Sequence, residues 1–359
     1  MNIRFPAPLA ALLAAAASLF AARARAQTSV QAGAVSATLG GRLHTQFNTT
    51  SAPAVPASEF AIRRARLDAK VQINRFLSGM VQPEFGEGKV LLRVAYAKLD
   101  AGAPLSVTIG QFKRPFDRFE LTSSNDILVI ERTGDIRGVD ACSGVGGVCS
   151  LSRLVERLQL GAPDIGIMIE GKDRSGRLGY FLALTNGTGA NREDENGSKS
   201  FTGRLALVAA PGVELGAGIA LHDYVDSLRG TDRYAPAWGL DLEVGNFSRG
   251  FHLQAGVVGG ANWSNFIGAD PARFFAAQVI ATYKAAWDRP PYAEAIEPVA
   301  RVSWADPATA ASGDAGFVVT PGLVWYITGR HKMAANVDFW IPERGERRFG
   351  LKLQSYLSF

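Results

Sequence analysis

The sequence predicts an all-β fold, a transmembrane antiparallel β-barrel of sixteen strands, and three observations carry that expectation. The final segment alternates to its end: Phe359, Leu357, Leu353, Leu351 and Phe349 fall on one face, and Ser358, Tyr356, Gln354, Lys352 and Arg348 on the other. After residue 26 no apolar run approaches the ~18 residues that a membrane helix needs. Turn signals recur about every ten residues, with alternating segments between them. A water-soluble domain seldom ends on a greasy, uncovered strand, because an open edge invites aggregation. A closed barrel requires such a strand to seal the sheet while facing lipid on one side. The terminal aromatic Phe359 also resembles the signal read by barrel-assembly machinery.

The first elements in chain order are targeting elements. A short basic start, an apolar stretch over residues 7–22 and Ala24-Arg25-Ala26 before Gln27 read as a signal peptide over residues 1–26, cleaved near Ala26. A single outer-membrane barrel domain then occupies residues 27–359, beyond the inner membrane. Cleavage removes Arg4, Arg23 and Arg25, so Lys+Arg falls from 38 to 38 − 3 = 35 against 33 Asp+Glu. The net charge drops from +5 to +2, and an argument from basic character to a nucleic-acid partner disappears.

Strands are expected at 37–48, 59–73, 77–85, 89–99, 105–112, 163–172, 178–186, 200–209, 213–223, 236–246, 250–260, 273–284, 294–304, 316–327, 331–340 and 347–359. The count is even, as single-chain outer-membrane barrels require. In the second strand Arg63, Ala65, Leu67, Ala69, Val71 and Ile73 form one series, and Arg64, Arg66, Asp68, Lys70 and Gln72 the other. The apolar series is assigned to lipid and the polar series to a water-filled lumen. Phe47, Phe60, Tyr96, Tyr180, Trp238, Phe251, Tyr283, Trp304, Trp325 and Phe339, near strand ends, suit interfacial girdles.

Short links alternate with longer ones at 48–58, 113–162, 187–199, 224–235, 261–272 and 305–315, which fit external loops. The longest, 113–162, follows the fifth strand and is the third external connection. A compact soluble domain rarely tolerates so long an irregular segment, whereas a wide barrel can fold it inward and narrow its lumen. The two cysteines, Cys142 and Cys149, lie in that loop and read as one small-loop disulfide in an oxidising periplasm.

The run Gly110-Gln111-Phe112-Lys113-Arg114-Pro115-Phe116, continuing through Thr122-Ser123-Ser124 to Glu131-Arg132, resembles the phosphate-selective porin O/P family. Ile62-Arg63-Arg64-Ala65-Arg66-Leu67 and the segment from Tyr180 to Asn186-Gly187 are also similar. The resemblance implies a sixteen-stranded, commonly trimeric barrel with its third external loop folded into the pore. It further implies a ladder of arginines and a Lys/Arg constriction that binds phosphate. On this chain Arg42, Arg64 and Arg66 match the ladder, and Lys113, Arg114 and Arg118 the constriction. Lys70 shares the polar face of Arg64 and Arg66. The loop also carries Asp117, Glu120, Asp126, Glu131, Asp135, Asp140 and Glu156, so its charges are close to balance.

Catalytic and metal chemistry find no support. His44, His222, His252 and His331 are scattered without metal-ligand spacing, and no nucleophile elbow or phosphate-cradling loop is present. The reading is therefore not an enzyme, with no cofactor and no metal. It is an outer-membrane porin for passive diffusion of inorganic anions or other small hydrophilic solutes, in contact with outer-membrane lipid. The alternative is a structural or adhesive barrel whose external loops bind a partner. Discrete ohmic conductance steps in a planar bilayer separate the two.

Overall fold

The computed structural model describes residues 28–32, 35–54, 56–226, 229–289 and 292–359. The expected signal peptide and its cleavage site lie outside the described residues. A short strand β1 (Thr28–Ala32) precedes sixteen barrel strands. These are β2 (Val35–Thr50), β3 (Ser58–Gln72), β4 (Leu77–Glu84), β5 (Leu91–Asp100), β6 (Ser106–Lys113), β7 (Pro163–Lys172), β8 (Leu178–Thr185) and β9 (Ser200–Ala210). The second half comprises β10 (Val213–Asp226), β11 (Thr231–Gly245), β12 (Gly250–Ile267), β13 (Asp270–Arg289), β14 (Ala293–Asp306), β15 (Gly316–Thr328), β16 (His331–Pro342) and β17 (Arg348–Ser358).

Each barrel strand pairs antiparallel with its sequence neighbour, and β17 pairs with β2, so the sheet is closed. The closing register runs from Gly350↔Thr50 to Ser358↔Arg42, and Phe359 exchanges backbone hydrogen bonds with Gly41 at 2.7 and 3.0 Å. Past that point β2 extends beyond the chain end, and β1 takes over its free edge through Thr28↔Leu39 to Ala32↔Val35. The sequence reading missed this small strand. Its role is to pair backbone groups that β17 is too short to reach.

Alternation decides which side of the wall each residue occupies. On β17, Phe349 and Leu353 are exposed on the outside, as is Phe359 just past its end, while Lys352, Gln354, Tyr356 and Ser358 are buried on the inside. Across the barrel, exposed Leu, Ile, Val and aromatic side chains make the continuous apolar exterior that a lipid-facing barrel needs. Trp238, Phe275, Trp304 and Phe317 form a ribbon on the outer surface of β11–β15, with successive ring centroids 6.2, 6.0 and 6.3 Å apart. Phe251 pairs with Tyr283 nearer the other rim, and Trp325 donates to the Tyr292 carbonyl at 2.8 Å. Tyr96 departs from the expected girdle, because it shares the inward face of Lys98 and directs its hydroxyl to Met80.

Strand β3 carries the second difference. The register slips between His44↔Arg64 and Thr45↔Ile62, leaving Arg63 as the extra residue of a bulge. Phe60 and Ile62 therefore face outward on one side of the bulge, and Ala65 and Leu67 on the other. Arg63, assigned to the lipid series by strict alternation, instead donates to Glu131 at 2.8 Å. A charged side chain on the lipid face is costly, and the bulge removes that cost for two adjacent arginines at once.

The connections at 73–76, 101–105, 173–177, 211–212, 246–249 and 329–330 are short and gather at one end. Those at 51–57, 85–90, 114–162, 186–199, 307–315 and 343–347 gather at the other, the external end of such barrels. Two expected external loops shrink, because β10 and β11 extend to Asp226 and Thr231, and β12 and β13 to Ile267 and Asp270. The barrel wall thus stands taller over β10–β13 than over β4–β8.

Candidate functional site

The long loop, residues 114–162, has its own local structure. Helix α1 (Arg118–Leu121) is capped by Asp117, whose carboxylate accepts the Glu120 amide at 3.0 Å. Helix α2 (Leu151–Arg157) is capped by Ser150, which accepts the Arg153 amide at 3.1 Å. Leu151, Leu154, Val155 and Leu158 recur at helical spacing and are all buried, whereas Arg153 and Glu156 pair on the opposite face at 2.8 Å. Between the helices, Cys142 and Cys149 are disulfide-bonded, and they pack with Ile136, Val145, Val318 and Trp340.

The apolar side of this loop rests on the inner wall of the barrel. Phe116, Phe119, Leu128, Leu151, Leu154 and Leu158 form one buried cluster with Val258, Phe274, Ala276, Ile280 and Val299 of β12–β14. Each large side chain so buried contributes about 1.5–3 kcal/mol. At its entry the loop presses against β10, where a side chain on Gly218 would come within 2.2 Å of the Phe116 carbonyl oxygen. Leu151 N–H donates to Ser303 Oγ at 2.9 Å, and Trp263 Nε1 donates to the Leu158 carbonyl at 3.2 Å. The loop therefore occupies the lumen on the β10–β17 side and turns its polar edge towards β2–β6.

That polar edge meets a row of cations. Arg42 donates to Asp68 at 3.0 Å and to Ser123 Oγ and Ser124 Oγ at 3.2 and 3.1 Å. Arg64 makes a two-pronged pair with Glu131 at 2.7 and 2.9 Å. Arg66 pairs with Glu84 and reaches Ser124 Oγ at 3.3 Å. Lys70 is exposed and carries no ion pair among the described residues. Lys113 donates to the Glu120 carbonyl oxygen.

Two further cations expected at the constriction sit elsewhere. Arg114 is 1% exposed and does not line the lumen: it lies at the root of the loop, 3.3 Å from His222 Nδ1 and 3.9 Å from Asp164. Pro115 and Phe116 turn the chain into the wall there, which carries the Arg114 side chain behind the loop. Arg118 bonds three carboxylates of the opposite wall, Glu214, Asp241 and Glu243, with the Asp241 contact at 3.3 Å. Arg204 adds a two-pronged pair to Asp241 at 2.5 and 2.7 Å. The β10–β11 wall is thus acidic where the β2–β6 wall is basic.

Several side chains were given no place in the site from sequence. Arg93 lies beside the register slip of β5 against β4, within electrostatic reach of Glu84, Arg64 and Arg63. The consecutive apolar pair Leu91-Leu92, which breaks alternation just before it, was the available signal. Arg132 donates to the Phe119 and Thr122 carbonyls and has no carboxylate partner among the described residues. Glu131, with a left-handed φ of 63°, accepts from both Arg63 and Arg64. Burial opposes its ionisation, yet Arg64 and Arg63 hold its carboxyl far below the usual carboxylate range.

Two other loop carboxyls behave oppositely. Burial pushes Asp117 up to about 7, with neighbouring Glu120 adding to the effect. Burial likewise raises Asp135 to about 7, against the pull of Arg153 and Lys352. Both take up a proton as pH falls from 8 to 6, so the loop loses negative charge. The reversal potential in a KCl gradient should therefore move towards the anion side on acidification. Asp117→Asn combined with Asp135→Asn should reduce that movement, and an unchanged pH response in the double variant would assign it to other groups.

The comparisons agree with this geometry. The family model for phosphate-selective porin O and P matches residues 38–235. No curated protein sequence matches significantly. Among solved structures, the outer membrane channel DcaP of Acinetobacter baumannii superposes with a TM-score of 0.63 at 12% identity, covering 92% of this chain and 100% of that one. An anion-selective porin from Comamonas acidovorans gives 0.61 at 13% identity, covering 90% and 100%. The trimer form of OmpT from Vibrio cholerae gives 0.56 at 12% identity, covering 90% and 100%. At such identities these likenesses establish a shared fold.

Proposed function

Because this chain belongs to the phosphate-selective porin O and P family and forms an outer-membrane channel for small solutes, we propose that its pore prefers anions, with inorganic phosphate as the natural probe. One observation carries the reading. Lys113 lies within electrostatic reach of Arg132, Arg66 and Arg93, and none of Arg93, Lys113 and Arg132 has a carboxylate ion pair among the described residues. Like charges crowded this way repel, and a passing anion relieves the repulsion. Guanidinium groups offer planar donor forks that match phosphate oxygens, while low-dielectric walls lengthen the reach of each charge. Arg42 and Arg64 are compensated by Asp68 and Glu131, so they shape the passage more than they charge it. No enzymatic step is proposed; family and fold are those of channels.

The test is a reversal potential in a KCl gradient for the purified protein in a planar bilayer. Anion preference is expected, and added phosphate should reduce the chloride current. A cation-selective pore would mean that the acidic wall around Glu214, Asp241 and Glu243 dominates.

The working protein is also proposed to be a homotrimer. Phe60, Ile62, Phe85, Val90 and Leu92 are all exposed on β3–β5 and their connections, where the wall is low, and they supply an apolar surface for a second copy. The Cys142–Cys149 bond is assigned to the mature form; non-reduced peptide masses check it, and two free thiols would overturn the assignment.

A further inference from the structure

Four inward side chains on consecutive strands, Arg301 of β14, Thr320 of β15, Asp338 of β16 and Lys352 of β17, are each 0% exposed. Asp338 holds both cations: Arg301 Nη2 lies 2.7 Å from Oδ1 and Lys352 Nζ lies 2.7 Å from Oδ2. Thr320 donates to Asp338 at 2.5 Å and accepts from Arg301 at 2.7 Å. The cations spend their remaining donors on the backbone of the long loop. Arg301 Nη1 donates to the carbonyls of Glu131 and Arg132 at 3.2 and 2.8 Å. Lys352 Nζ donates to those of Gly134 and Asp135 at 2.9 and 3.2 Å. Asn336 accepts the Ile130 amide at 2.5 Å.

A buried triad of this kind is a poor way to stabilise a wall, since apolar side chains of similar volume often serve as well or better. Apolar side chains cannot grip four carbonyl oxygens. The grip falls on residues 131–135, the stretch that sends Glu131 across to Arg63 and Arg64. We propose that Arg301, Asp338 and Lys352 form a positioning latch that fixes the long loop across the lumen and, through Glu131, sets the charge of the passage. Asp338 is its centre because it alone orients both cations. The proposal rests on the porin reading and is independent of which ion the pore prefers.

Asp338→Asn preserves the shape of the side chain and removes the charge that holds Arg301 and Lys352. Recordings are made from folded, heat-modifiable protein in symmetric and asymmetric KCl. Conductance should rise roughly two-fold and open-state noise should increase as the loop loosens. The reversal potential should move towards the anion side relative to wild type, because Glu131 no longer covers Arg63 and Arg64. Glu131→Gln should shift the reversal potential in the same direction with wild-type noise, since the loop stays latched. Lys352→Arg, which keeps the grip, should restore wild-type traces. If Asp338→Asn does not assemble, Thr320→Val carries the test, and its noise should exceed that of wild type. Wild-type conductance, noise and reversal potential in the folded Asp338→Asn protein overturn the latch, and so does a wild-type Thr320→Val where Asp338→Asn fails to assemble. The wild-type reversal potential alone judges anion preference, while the difference between variant and wild type judges the latch.

Discussion

Deleting Phe359, or replacing it with Asp, should remove most of the heat-modifiable barrel while leaving the conductance of the few assembled pores unchanged. Phe359 closes the seam: its backbone exchanges two hydrogen bonds with Gly41, and its half-exposed ring lies over that glycine on the outer surface. Each lost backbone pair costs about 0.5–1.5 kcal/mol, so the local energy alone is modest. The larger loss comes from the closing step, because these bonds are the last pair that joins the β17 side of the seam to β2. Asp adds a charge on the lipid side and worsens closure. Gly41→Val should reproduce the defect from the other strand, since a side chain there would meet the Phe359 ring at 2.5 Å. Normal yields of folded barrel in both variants would contradict the role given to this seam.

The second large effect concerns charge. Replacing Arg66, Arg93 and Lys113 together with Gln should lower the anion-to-cation permeability ratio by about ten-fold, because a cluster of neighbouring basic groups disappears from a narrow, low-dielectric passage. The change also leaves Glu84, the partner of Arg66, uncompensated. Arg42→Gln should act more weakly and through geometry, since Arg42 is already balanced by Asp68 and bonded to the loop serines. Reversal potentials of the triple and single variants in the same gradient decide the matter. A triple variant that shifts the reversal potential no more than Arg42→Gln would remove Arg66, Arg93 and Lys113 as the selectivity group.

The wall was legible because alternation is a local property. Sixteen strands stand where period-two patterning and turn residues put them, and the outward stripe of β17 is as the residues dictate. The pattern fails where the sheet leaves regular register. Arg63 was assigned to lipid because nothing in one strand's periodicity reveals a bulge, which is fixed by pairing with β2. The site was legible only in part. The family resemblance pointed to the Arg42, Arg64 and Arg66 row, but which of its charges are cancelled depends on Glu131, Glu84 and Asp68, brought in from other strands and from the loop. Arg114 looked like its neighbour Lys113, yet the turn at Pro115 sends it behind the loop. Nothing in the sequence singled out Arg301 or Asp338, and Lys352 stood only on the polar face of the last strand, until the fold set all three against one stretch of backbone.

The apolar cluster beneath the long loop has a consequence for the order of events during biogenesis. Phe119, Leu151 and Leu158 find their partners in Val258, Phe274, Ile280 and Val299, well over a hundred residues further along the chain for most pairs. Contacts so distant in sequence form late, because the intervening chain must first be ordered. The loop therefore cannot settle until the C-terminal strands are in place, and the anchoring contacts from β14, β16 and β17 arrive last of all. A cylinder closed by β17 before that loop seats would present a wide, unfiltered bore. The tightness of the membrane would then depend, for that interval, on how soon a single loop seats.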